Sequence, residues 1–168
     1  MNTDFNQIIN SASARINNLY EQINKTAKKK NINPKDWQDA CYNFRHHISE
    51  IDFYMAKIYE SPNYLEEEII EFAICFLEVN PIFFRSGYFK QIIIKKLKRS
   101  QISISQEERL REVIIDAVKN RGTREYKIYC NLAISLKNKN LIENVKQLSF
   151  QNTGAIRSRA KLMLRYIN

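Results

Sequence analysis

The stretch LIENVKQLSFQNTGAIRSRAKLMLRYI, Leu141 to Ile167, decides the fold. Leu141, Val145 and Leu148 fall on one helix face, a polar turn follows at Asn152 and Thr153, and Ile156, Ala160, Leu164 and Ile167 restart the same three-and-four spacing. Two amphipathic helices joined by a short turn satisfy that pattern. It has a copy upstream: displacing Ile115, Val118, Tyr126, Lys127, Cys130 and Ile134 by 30 residues lands on Val145, Leu148, Ile156, Arg157, Ala160 and Leu164, with apolar or basic character kept each time. Self-similarity at such a period marks stacked helix pairs, because one pair alone cannot bury its apolar face. The pairs are expected at about 105–121 with 124–137, and about 140–150 with 154–167.

The second pair resembles a HEAT repeat over about 27 residues: a leucine-spaced first helix, a short polar turn, then Ile156-Arg157 and the Ala160, Leu164, Ile167 ladder. The preceding pair carries a weaker form of the pattern, and the N-terminal region carries none. In HEAT repeats the basic residue at the position of Arg157 commonly contacts an acidic residue in the inter-helix turn, where this chain has Asn152 and Thr153. The resemblance also implies that the second helix of each pair lines the concave, partner-binding face.

Toward the N-terminus, three prolines mark expected helix starts. Asn33-Pro34, Ser61-Pro62 and Asn80-Pro81 each place a capping side chain before a proline, which is tolerated at the first helical position because its missing N–H has no partner there. Ser105-Gln-Glu-Glu108 reads as a capping box opening a further helix. Apolar stripes predict a first helix over about 4–30, through Phe5, Ile9, Ile16 and Ile23, and a second over about 34–60, through Trp37, Phe44, Ile51 and Ile58. Together they predict a long antiparallel helical hairpin over 4–60. Helices over about 62–79 and 81–99 are apolar on most sides, which assigns 62–99 to the centre of the molecule. The expected architecture is one all-α domain over 1–168 with about eight helices: an N-terminal antiparallel helical hairpin, then stacked HEAT-like helix pairs over 105–167.

Composition narrows the function classes. At 168 residues the chain is long enough for one self-sufficient core. Cys41, Cys75 and Cys130 are odd in number, form no CxxC and sit in apolar helical patterns, as reduced thiols in a cytoplasmic protein do. The N-terminus MNTDFNQIIN lacks the basic start and apolar centre of a secretory leader. The most hydrophobic stretch, Ile69 to Phe84, is interrupted by Glu71, Glu78 and Asn80-Pro81 and falls short of the ~20 apolar residues of a membrane span, so no membrane insertion is expected. Three glycines and three prolines are too few for a chain built on hairpins or phosphate loops.

Charge is the most informative quantity. The net charge is +9, but residues 81–168 alone hold nineteen Lys/Arg against six Asp/Glu, while 61–80 hold none against five. The C-terminal half is therefore a basic module, and Glu66, Glu67, Glu68 and Glu71 form an acidic spot able to meet a basic surface in cis or in a partner.

No catalytic or cofactor signature emerges. His46 and His47 are adjacent and point about 100° apart on a helix, so they do not share one metal. Asp39, Asn43, His46 and Glu50 fall along one face of the expected second helix, but no second element supplies further ligands, and no metal or cofactor is expected. There is no GxSxG and no Cys/His pairing, which leaves the serines as caps and surface residues. The run FFRSGYFKQ, Phe83 to Gln91, interleaves aromatics with Arg85 and Lys90 as a stacking surface for single-stranded nucleic acid does, although Phe89 continues the core stripe of Ile92, Ile93 and Leu97.

The candidate site is basic. Arg157, Lys161 and Arg165 recur at i, i+4 and i+8, and the 30-residue period puts Lys127 at the equivalent position of the preceding pair. Like charges at this spacing cost a few tenths of a kcal/mol unless something anionic meets them. Lys95, Lys96, Lys98 and Arg99 form a secondary cluster, denser than a helix C-terminus requires. The leading expectation is a non-enzymatic adaptor that holds an acidic protein surface through Lys127, Arg157, Lys161 and Arg165. The alternative is a nucleic-acid-binding module using the same surface. A hydrolase or glycosylase would need a catalytic acid in the basic groove, for which Asp116 and Glu125 are the nearest residues.

Overall fold

A computed structural model of the chain describes residues 3–62, 64–121 and 125–168. The protein is all-α: among the described residues there are nine helices and no strand. They are α1 (Phe5–Ala27), α2 (Pro34–His46), α3 (Glu50–Glu60), α4 (Glu67–Val79), α5 (Ser86–Leu97), α6 (Ile104–Asn120), α7 (Tyr126–Ser135), α8 (Lys139–Ser149) and α9 (Gly154–Ile167). The C-terminal pairs match the expectation closely, α6 with α7 and α8 with α9, although the expected start at residue 124 lies outside the described residues.

The caps explain the helix ends, and four of them correct the sequence reading. Asn33-Pro34 opens α2 as expected, with the Asn33 side-chain oxygen Oδ1 accepting from the Asp36 N–H at 3.4 Å. The second arm of the hairpin, however, is not one helix over 34–60. It ends at His46 and restarts at Glu50, because the Asp52 carboxylate accepts from both the N–H and the hydroxyl of Ser49, at 2.7 and 2.8 Å, a competing N-terminus in mid-stripe.

Ser61-Pro62 does not start a helix. The Ser61 hydroxyl donates to the Lys57 carbonyl at 2.9 Å and so finishes α3, while α4 begins at Glu67. Asn80 likewise closes α4: it adopts the left-handed conformation (φ 51°), and its N–H donates to the Phe76 carbonyl at 3.1 Å. Pro81 then follows a C-cap, where it blocks continuation, and α5 starts five residues later at Ser86. The capping box of α6 is Ser103 with Gln106, two residues ahead of the expected one. Gln106 is buried, and its amide donates to Glu67 and Glu71 at 2.7 Å each, which ties the start of α6 to α4.

The helices pack in two rows. One row runs α1 with α2, then α4, α6 and α8; the other runs α3, α5, α7 and α9, each helix touching the next in its row. Cross-contacts α3 to α4, α4 to α5, α6 to α7 and α8 to α9 close the layer between them. Its centre is aromatic: Phe72 stacks on Tyr54 at 4.4 Å and takes Phe5 edge-on at 5.7 Å. In burial, four of the six 30-residue equivalences agree: Ile115 and Val145, Val118 and Leu148, and Cys130 and Ala160 are buried, and Lys127 and Arg157 are exposed, whereas Tyr126 is buried against a half-buried Ile156 and Ile134 is exposed against a half-buried Leu164.

Burying Cys130 and the α7 tyrosines gives stability a pH dependence. Burial pushes the Cys130 thiol from 9.0 up to about 11, and raises the Tyr126 and Tyr129 hydroxyls as well. Above pH 9 the unfolded chain releases protons that the folded chain keeps, so stability falls as pH rises through this window. Burial raises Cys75 and Tyr54 in the same sense, while Lys90, whose ammonium burial holds below the usual lysine range, acts in the opposite one, one group against five. The urea midpoint is expected to drop between pH 9 and pH 11, and Cys130→Ala to flatten the drop. A midpoint that climbs over this range contradicts the burial assignment.

Candidate functional site

The second row beyond α3 is distinctive in charge. Helices α5, α7 and α9 hold eight Lys/Arg and no Asp/Glu, while α6 and α8 of the first row hold five of each. Every acidic residue of the C-terminal half lies on the first row or at Glu125, just ahead of α7.

Lys127 on α7 and Arg157, Lys161 and Arg165 on α9 are all exposed. Opposite them Ala160, Met163 and Ile167 face the core, so the basic row is the outer face of α9. None of the four forms an ion pair among the described residues. Arg157 reaches only the turn before its helix, donating to the Asn152 carbonyl at 3.5 Å. The two helices are held together beside this face by the Tyr126 hydroxyl, which donates to the Arg159 carbonyl at 2.8 Å.

The secondary cluster divides. Lys96 leaves the site: its ammonium donates to the Ser61 carbonyl and, at 3.5 Å, to that of Tyr59, satisfying the free carbonyls at the end of α3. Lys95, Lys98 and Arg99 instead line a groove of about 400 Å³ whose opposite wall is Ile128 and Asn131 of α7. The fold thus brings both basic clusters to α7, a juxtaposition that needs the α5 to α7 contact and has no counterpart in the 30-residue period.

Other basic residues of this half serve the framework. Arg159 donates to the carbonyls of Val118 and Lys119, at 2.7 Å each, and closes α6. Arg111 pairs with Glu107 and donates to the Leu136 carbonyl at 3.0 Å. Arg109 grips Glu78 at 2.8 Å and Glu71 at 2.6 Å. The Glu78 and Glu71 carboxylates hold its guanidinium charged, and although burial favours the neutral acid, the Arg109 and Gln106 hydrogen bonds keep the Glu71 carboxyl below its usual range. The acidic spot is therefore met in part within the chain, at Glu67 and Glu71, while Glu66 and Glu68 stay exposed.

Neither candidate acid of the enzymatic reading faces an open groove in a free state. Asp116 accepts from Asn120 and Arg121, both at 2.7 Å. Glu125 lies 3.8 Å from the ammonium of Lys90, which is 2% exposed. Its carboxylate also occupies the space beside Gly87, where a Cβ would come within 2.1 Å of Oε1. The row Asp39, Asn43, His46 and Glu50 is interrupted, since α2 ends at His46 and Glu50 opens α3. Among the described residues no group of three His, Cys, Asp or Glu is placed to hold a metal.

The FFRSGYFKQ run divides in the same way. Phe83 and Lys90 are buried and Phe89 packs against the core, while Phe84, Arg85 and Tyr88 are exposed, with Phe84 stacked on Tyr20 at 5.9 Å. All three cysteines are free thiols, and among the described residues no helix is long and apolar enough to cross a membrane. No protein-family model matches this chain, and no curated protein or solved structure matches it significantly.

Proposed function

We propose that this chain is a small HEAT-like helical adaptor that holds an acidic protein partner on the outer face of its second helix row. The observation that carries the reading is the absence of any acidic residue from α5, α7 and α9, with Lys127, Arg157, Lys161 and Arg165 exposed and without ion-pair partners among the described residues. Leaving like charges together is unfavourable on a free surface and becomes favourable when a negative surface covers them. The HEAT-like part of the reading is supported by the stacking of α6 on α8 and α7 on α9 and by burial shared at four of the six 30-residue equivalences.

Nucleic acid is the second reading, favoured by the same unpaired cations and by the exposed Phe84, Arg85 and Tyr88. Capture from the native cell with and without nuclease separates the two. An adaptor retains the same protein after nuclease digestion, and its own affinity for arbitrary duplex DNA stays near the ~10⁻⁴–10⁻⁶ M of any basic protein at physiological salt. Loss of all retained material on digestion, or nanomolar DNA binding, transfers the face to nucleic acid.

A further inference from the structure

The groove between α5 and α7 has features that a generic basic surface does not need. Its floor is aliphatic: Ile94 is 2% exposed, and Ile128 is half-buried against the core. Lys95, Lys98 and Arg99 rim one side, and Gln91 and Asn131 present side-chain amides. On α5, Gln91, Ile94, Lys95 and Lys98 follow the i, i+3, i+4, i+7 spacing of a single face, so the groove is a continuous strip along that helix. No carboxylate lines it, the three cations carry no ion pair, and neither amide makes a hydrogen bond among the described residues.

We propose that this groove seats one apolar side chain of an acidic peptide segment from the partner, with the flanking carboxylates on Lys95, Lys98 and Arg99. The proposal rests on the reading of the second row as the partner-binding face and adds the anchor to it. Charge complementarity sets the sign of the occupant, because the lining offers positive charge and no negative charge. The amides select a peptide, since each offers a donor and an acceptor and so can pair with both the N–H and the C=O of an extended main chain. The aliphatic floor selects an apolar side chain, and at about 400 Å³ the groove falls within the size range of small ligand sites. Nucleic acid fits less well: no ring lines the groove to stack a base, and Tyr88 belongs to a separate hollow toward the start of α5.

The test uses the full chain and two capped ten-residue peptides of glutamate and glycine, identical except for a central leucine in one and a central glycine in the other, with oligouridylate alongside. Seating the leucine is expected to give about tenfold tighter binding than the glycine peptide. The Ile94 and Ile128 methyl resonances should move with the leucine peptide alone. Asn131→Trp, at an exposed position, fills the groove and should erase the difference, whereas Lys161→Glu with Arg165→Glu should weaken both peptides alike. If both peptides bind equally without moving those methyls, the groove is overturned and the wider basic face stands. If the leucine peptide binds in the groove but the α9 reversals leave it untouched, the groove stands and the wider face fails. Failure of both peptides to bind, or tighter binding of oligouridylate with the same methyls shifted, overturns the peptide proposal.

Discussion

Arg121→Ala is expected to destabilise the fold by about 3–5 kcal/mol, the combined cost of two buried acceptors left unpaired and the cavity opened beside them. Arg121 is 5% exposed and joins three helices at one point. Its guanidinium donates to Asp116 of α6 at 2.7 Å, to the Tyr129 hydroxyl of α7 at 2.7 Å and to the Leu77 carbonyl of α4 at 3.1 Å. It also lies 5.0 Å from the centre of the Tyr129 ring. Alanine strands the fully buried Tyr129 hydroxyl and an α4 carbonyl, and opens a cavity beside both. Lysine restores little, because one ammonium cannot reproduce a planar fork with three partners. Asp116→Ala should cost about 1 kcal/mol, since that side chain is 43% exposed and water replaces its partner. In thermal unfolding Arg121→Ala should melt about 10 °C or more below the parent. A shift of one or two degrees removes Arg121 as the tie between the N-terminal and C-terminal helices.

The second large effect is on binding. Replacing Lys127, Arg157, Lys161 and Arg165 together by glutamate should lower affinity for the native partner by about a hundredfold or more while leaving the helical spectrum unchanged. Each reversal exchanges a favourable contact of roughly 0.5 kcal/mol for a repulsion of similar size, and four of them accumulate several kcal/mol. The fold tolerates the change because all four side chains are exposed and the core of α9 is carried by Ala160, Met163 and Ile167. Retained binding at parental strength, in a variant with the parental spectrum, removes this face from function.

The C-terminal helix pairs were legible in the sequence because their apolar spacing recurs about 30 residues apart, so each stretch checks the other. The N-terminal half has no such duplicate, and there local signals were ambiguous. Asn before Pro serves an N-terminus at Asn33 and a C-terminus at Asn80, since asparagine both caps helices and tolerates the left-handed conformation. The Ser49 to Asp52 spacing was a readable capping signal, but it sat inside an unbroken apolar stripe that argued for one long helix. The basic residues were visible as clusters, not as roles. Lys95 and Lys96 are neighbours in sequence yet point about 100° apart, so one lines the groove and the other finishes α3. The missing acids of α5, α7 and α9 were also present in the sequence, but they become a signal only when helix boundaries sort the residues into rows.

The proposed function rests on that sorting, because it assigns binding to α5, α7 and α9 and not to net charge. Two variants with the same change in net charge decide it, one with Lys127, Arg157, Lys161 and Arg165 replaced by glutamate, the other with the exposed Lys119, Lys137, Lys139 and Lys146 so replaced. Affinity for the captured partner, measured side by side in physiological salt, should fall about a hundredfold or more in the first and less than about threefold in the second. Equal losses in the two variants would contradict the account.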